Sequence, residues 1–173
     1  MAQKLVKFIE IEEFKKVLAE EKDKKFKLAY VLAFGSGLRI SEIVGFNEIK
    51  PLTKDQIDLD KHQIRLFGKR GKERITVTSP WLNKTNVDLL PLDIPRRTLQ
   101  GRFTRLCSKV LGKKLSIHTL RHGFANYMAN EKNVPLPMVQ QMLGHSRLDT
   151  TGIYTKANPE EAIKIAWEAM GGK

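Results

Sequence analysis

Apolar residues recur at helical spacing along most of the chain, and at alternate positions only between 56 and 78. The first helical stretch, 8–19, places Ile11, Phe14, Val17 and Leu18 on one face, with Glu10, Glu12 and Glu13 in its opening turns, the end that favours negative charge. A charged connector over 20–25 leads to a second helix, 27–34, rich in Leu28, Ala29, Val31 and Leu32 and ended by Gly35-Ser36-Gly37. A third helix begins near 38–41 and runs through Ile43 and Val44, which puts Arg39 at a helix N-terminus, where backbone N–H groups favour an anion. Alternation then predicts strands over 56–59, 62–67 and 74–78, joined by a tight turn at Asp60-Lys61 and a glycine-containing loop over 68–72. In that loop Lys69, Arg70 and Lys72 either solvate the tip or reach into a bound partner, and spacing does not choose between Lys69 and Lys72 as a working lysine.

The proline-rich stretch 79–95 reads as irregular, anchored by Trp81, Leu89 and Leu90. Pro95 suits the first turn of a helix running to about 111, with Leu99, Phe103, Leu106, Val110 and Leu111 inward and Cys107 a small buried hydrophobe beside them. Arg96, Arg97, Arg102 and Arg105 mark its other side, either a solvated face or a surface for a DNA backbone. Ser116 is a candidate N-cap for a helix to about 130 that places His118 and Arg121 on one face and buries Leu120, Phe124, Ala125, Tyr127 and Met128. Pro137 opens the next helix, with Met138, Val139, Met142 and Leu143 on its apolar side, and Gly144 stops it, leaving His145 in a turn. Asp149 caps a short helix carrying Tyr154, and Asn158-Pro159-Glu160-Glu161 starts the last helix. That helix aligns Ile163, Ala166, Trp167 and Met170, a stripe for its own domain or for a neighbouring subunit. The expectation is a single α+β domain, mainly α-helical, with a small antiparallel three-stranded sheet.

Composition narrows the partner. The 173 residues carry 31 Lys+Arg against 19 Asp+Glu, a net charge of +12, which points to a polyanion. There is no long apolar run for a membrane span, and no apolar core follows Lys4 and Lys7 to make a secretory signal. The one cysteine, Cys107, cannot pair internally, and a reducing cytoplasm is the simplest compartment.

Four motifs then stand in order: Gly37-Leu-Arg-Ile-Ser-Glu42, Phe67-Gly-Lys-Arg-Gly-Lys-Glu-Arg74, His118-Thr-Leu-Arg-His122, and Leu143-Gly-His-Ser146 followed by Asp149-Thr-Thr-Gly-Ile-Tyr-Thr155. Together they resemble the tyrosine recombinase (phage integrase) family, its Xer-type members included, from about residue 8 to the C-terminus. The resemblance implies the tyrosine recombinase catalytic-domain fold. It matches Arg39 to the family's first arginine, Glu42 to the acidic residue supporting the site, and Lys69 to the hairpin lysine, deciding it over Lys72. His118 and Arg121 match the His-x-x-Arg pair, His145 the second histidine, and Tyr154, nine residues further on, the nucleophile.

The chemistry of these groups agrees with that match. Two arginines can hold the anionic oxygens of a phosphodiester and stabilise charge in a pentacoordinate transition state. A phenol, with a pKa of about 10, attacks well only as its proton leaves. His118 is placed to take that proton, Lys69 to give one to the leaving 5′-oxygen, and His145 to bond a non-bridging oxygen. The expected product is a 3′-phosphotyrosyl ester and a free 5′-hydroxyl, reversible without ATP, and the set calls for no metal or cofactor. The expected activity is site-specific breakage and rejoining of double-stranded DNA by a homotetramer on two sites, in the nucleoid-associated cytoplasm. Topoisomerase-like nicking and resealing and a non-catalytic DNA-binding module are the alternatives. The resemblance also leads one to expect an N-terminal core-binding domain ahead of the catalytic domain, which these 173 residues lack, and a longer segment than 79–95.

Overall fold

The computed structural model describes residues 7–68, 73–144 and 158–172. Eight helices and one sheet are present among them: α1 (Ile11–Glu20), α2 (Lys24–Gly35), α3 (Ile40–Val44), a 3-10 turn (Lys54–Gln56), β1 (Ile57–Asp58), β2 (Gln63–Phe67), β3 (Glu73–Val77), α4 (Lys84–Val87), α5 (Arg96–Leu111), α6 (His118–Asn126), α7 (Leu136–Leu143) and α8 (Pro159–Ala169). The sheet is antiparallel in the order β1-β2-β3, with Leu66 opposite Arg74 and Ile64 opposite Thr76. The fold is thus mainly helical with a small three-stranded sheet, as the alternation predicts.

Several boundaries differ from the sequence reading for identifiable reasons. α1 starts later than residue 8 because Ile9 is extended and wholly buried, its N–H donating to the Thr119 carbonyl. Glu10 then caps the helix, with the Glu13 carboxylate accepting its N–H. α2 begins at Lys24, inside the expected connector, because the Asp23 side chain accepts from the N–H groups of Lys25 and Phe26. Residues 79–95 contain one helical turn, α4, capped by Asn83. α6 is capped at Ile117; Ser116 contributes its carbonyl, not its hydroxyl, accepting from Thr119 Oγ1 at 2.6 Å. The helix continues past Asn126 as a π-helical turn over Tyr127–Glu131.

Two apolar cores result. The larger joins α1, α2, α5 and the start of α6, with Phe14 and Phe34 stacked at 4.2 Å between ring centroids and Cys107 fully buried. α6 closes on α2 at Gly123, where any Cβ would come within 2.5 Å of the Ile9 carbonyl oxygen, so only glycine allows the approach. The smaller core lies under β3, α7 and α8 and holds Val77, Phe124, Met142, Ile163 and Ala166. α8 therefore lays its apolar stripe on its own chain, and the Trp167 ring stacks on His62 at 3.8 Å in the β1–β2 turn. No helix among the described residues is long and apolar enough to cross a membrane.

Candidate active site

The site grows from one buried carboxylate. Glu42, in the first turn of α3, is 5% exposed. It accepts the Arg39 N–H at 2.7 Å and Arg39 Nη1 at 3.2 Å, so the N-cap residue of α3 is fixed by the residue one turn on. A third bond comes from across the fold, where Arg74 of β3 donates Nη2 at 2.7 Å. The other arm of Arg74 donates to the Met142 carbonyl at the end of α7. Arg121 of α6 donates to the Gly37 and Leu143 carbonyls, each at 2.6 Å. Four elements thus meet at one place, tied by charge-assisted hydrogen bonds.

The charges there do not balance. Two guanidinium groups, those of Arg39 and Arg74, pair with one carboxylate, and a third, that of Arg121, lies near enough to feel all three charges. Burial pulls the Arg121 pKa down to about 9, with the positive charges of Arg39 and Arg74 adding and Glu42 opposing. Arg74 is lowered as well, first by burial, with Glu42 opposing and Arg39 adding. Both stay protonated at neutral pH. The mutual repulsion would be relieved by an anion, and Arg39, 42% exposed, opens the cluster to solvent. Arg121 has five N–H donors and uses two on the backbone, so donors remain for a ligand.

His118 stands one turn before Arg121 on α6, exposed to solvent. Its pKa lies below the ordinary histidine value through partial burial, then the charges of Arg96, His122 and Arg121. The imidazole is therefore neutral near pH 7 and able to accept a proton. Arg96 lies over the Phe46 ring at 4.5 Å, near enough to act on His118, and Arg97 and Arg105 are exposed along α5. Arg102 belongs to the fold rather than to this basic face. It forms two bonds to buried Glu21, at 2.9 and 2.6 Å, and covers the Phe26 ring at 4.3 Å.

Arg39, Glu42, His118 and Arg121 are thus brought together by the fold. Lys69, Arg70, Lys72, His145, Asp149 and Tyr154 lie outside the described residues. Of their chain neighbours, Gly68 shares with Glu42 the lining of a cleft of about 410 Å³. Gly144 packs on Arg74 so closely that a Cβ would come 2.5 Å from Arg74 Cδ. Arg74 is the residue the sequence reading passed over as the start of a strand. No signal in the alternation marked it, since its carboxylate partner lies 32 positions earlier in the chain.

Residues 92–161 match the phage integrase family. The chain belongs to that family. Among curated relatives, this chain is 35% identical to the tyrosine recombinase XerD of Pseudomonas aeruginosa over 144 residues, 70% of this chain and 46% of the relative. The chain spans about half the length of the curated relatives it matches. Among solved structures it superposes on the integrase from mycobacterium phage Brujita with a TM-score of 0.73 at 21% identity, covering 96% of this chain and 60% of that one. It also superposes on the XerH site-specific recombinase bound to its difH substrate, with a TM-score of 0.58 at 21% identity, covering 96% and 55%. The fold is that of tyrosine recombinase catalytic domains.

Proposed function

We propose that this chain cuts and rejoins double-stranded DNA through a covalent phosphotyrosyl intermediate. The observation that carries the reading is the cluster of Arg39, Arg74 and Arg121 around the lone carboxylate of Glu42, one turn from a solvent-facing, neutral His118. A scissile phosphate supplies the missing negative charge. Arg39 and Arg121 hold its non-bridging oxygens, and their stabilisation grows as the phosphorane forms. Tyr154 Oη attacks phosphorus, His118 takes the phenolic proton, and the 5′-oxygen leaves with a proton from Lys69. His145 hydrogen-bonds a non-bridging oxygen. The P–O bond to the 5′-oxygen is exchanged for one to tyrosine, so a 5′-hydroxyl reverses the step with no external energy source. A solved neighbour, the Tn1549 transposon integrase, is in complex with circular intermediate DNA, and the net charge of +12 suits DNA as the partner here.

The other tyrosines support Tyr154 by elimination. Tyr30 is wholly buried against Glu21, its pKa pushed up by that burial and then by the Glu21 charge. Tyr127 is half-buried against Phe34. Tyr30 cannot reach a duplex without unfolding part of the larger core.

The test is a duplex carrying a nick beside the cleavage point, selected from random sequence by covalent capture. The short 5′-product diffuses away and leaves protein attached to DNA. Peptide mapping should place the linkage on Tyr154; no attachment from any pool would overturn the reading. Two further results are expected. Lys69→Ala should slow cleavage by about 100-fold or more, and a 5′-bridging sulfur at the scissile position should restore it, because a thiolate leaves without protonation; an unrestored rate removes Lys69 as the acid. The cleavage rate should also be flat near neutral pH and fall only below the ordinary histidine pKa of about 6.5, since His118 holds its proton weakly. An acidic limb with its midpoint above that value would mean that another group takes the proton.

A further inference from the structure

We infer that Arg74 is a positioning residue that sets the two phosphate-facing arginines relative to each other. One guanidinium joins both of their supports. Through Nη2 it holds Glu42, whose carboxylate fixes the backbone and side chain of Arg39. Through Nη1 it holds the Met142 carbonyl, and the next carbonyl, that of Leu143, receives Arg121. The path from Arg39 to Arg121 therefore runs through a planar fork with fixed angles between its donors. Arg74 is 11% exposed on its side chain, so water does not compete for these bonds. Gly144 closes the arrangement from the α7 side: it has φ +69°, and its missing Cβ leaves the space that Arg74 Cδ fills.

Arg74 itself is the most enclosed of the three arginines on the carboxylate side of the site. Its Nη1 and Nη2 bond to Met142 and Glu42, its Nε is buried without a partner, and its side chain is 11% exposed, whereas Arg39 is open to solvent. It acts on a phosphate only through its neighbours. A lysine keeps the charge but has one nitrogen on a flexible stem, so it cannot hold both partners at the same angles.

The catalytic half of this inference rests on the function proposed above; the geometric half does not. Both are tested in the full chain with Arg74→Lys, with Arg102 as an internal reference because its Glu21 pair is formed by other elements. In nitrogen-15 spectra of the guanidinium groups, the Arg39 and Arg121 signals should both move and the Arg102 signal should stay. On the captured nicked duplex, single-turnover cleavage should fall by about 10- to 100-fold, the range seen when a supporting residue around a reactive centre is lost. DNA affinity should change less than about threefold, since binding is spread over many phosphates. A folded Arg74→Lys protein with unmoved Arg39 and Arg121 signals overturns the inference, as does full cleavage in a protein whose signals have moved. If wild type cleaves no DNA, the proposed function fails while the spectra still decide the geometric half. If Arg74→Lys does not fold, Glu42→Gln breaks the same bridge from its other end, and because the Glu42 charge acts on Arg121 a crystal structure of that variant replaces the spectra: Arg39 and Arg121 both left in place overturn the inference.

Discussion

Tyr154→Phe should bind DNA as tightly as wild type and capture none of it covalently. The change removes one oxygen and leaves ring, volume and net charge intact. Phosphate contacts provide most of the affinity for DNA, and these depend on cations the substitution does not touch. A phenyl ring has no lone pair to offer phosphorus, so loss of attachment should be complete, by about four orders of magnitude or more. Gel-shift titration and denaturing gels on the nicked duplex measure the two halves separately. Residual attachment at the wild-type rate would assign the nucleophile to another residue. Loss of binding would instead mean that the aromatic hydroxyl holds the DNA.

Glu42→Leu should be the most damaging change to stability in the described site. It removes the carboxylate and leaves Arg74 charged in a space only 11% open to water. Breaking a buried pair from one side costs about 3–5 kcal/mol, because the remaining charge keeps its desolvation penalty. At about 2–4 °C per kcal/mol in a chain of this size, the midpoint of thermal unfolding should drop by roughly 10 °C. The Arg39 backbone loses its acceptor in the same step, so cleavage should fall by about 100-fold or more in protein that still folds. Calorimetry with a parallel cleavage assay reads both. A loss of stability under about 1 kcal/mol would show that Arg74 finds water or another acceptor when Glu42 is gone.

Much of this architecture was legible in the sequence because it rests on local period. The alternation over 56–78 gives the sheet; the apolar positions of α2, α5, α7 and α8 give their buried faces. His118 and Arg121 are neighbours through helical spacing alone. What the sequence hid are partners far apart in the chain. Arg102 reads as one of four basic residues on a helix face, and its carboxylate lies 81 positions earlier. Arg74 reads as the first polar position of a strand, and its acceptors lie 32 and 68 positions away. Alternation assigns Ile75 and Val77 inward and Arg74 outward, but β3 is covered on both sides, with Thr76 and Val77 each fully buried. On a strand without a wet face, polarity no longer tells inside from outside. The start of α2 was hidden differently: six charged residues, 20–25, looked like a connector until Asp23 proved to be a cap.

The way Arg121 is held affects how the protein can be diversified. Its two acceptors are main-chain oxygens, those of Gly37 and Leu143. Every amino acid offers that atom, so exchanging the Leu143 side chain for another apolar one of similar volume leaves the oxygen where it is. Gly37 is less free, because its φ of +68° and the nearby Phe124 ring admit little else. A mutational library built across both positions should therefore lose function through backbone geometry at one and core volume at the other, and at neither through the loss of a polar side chain.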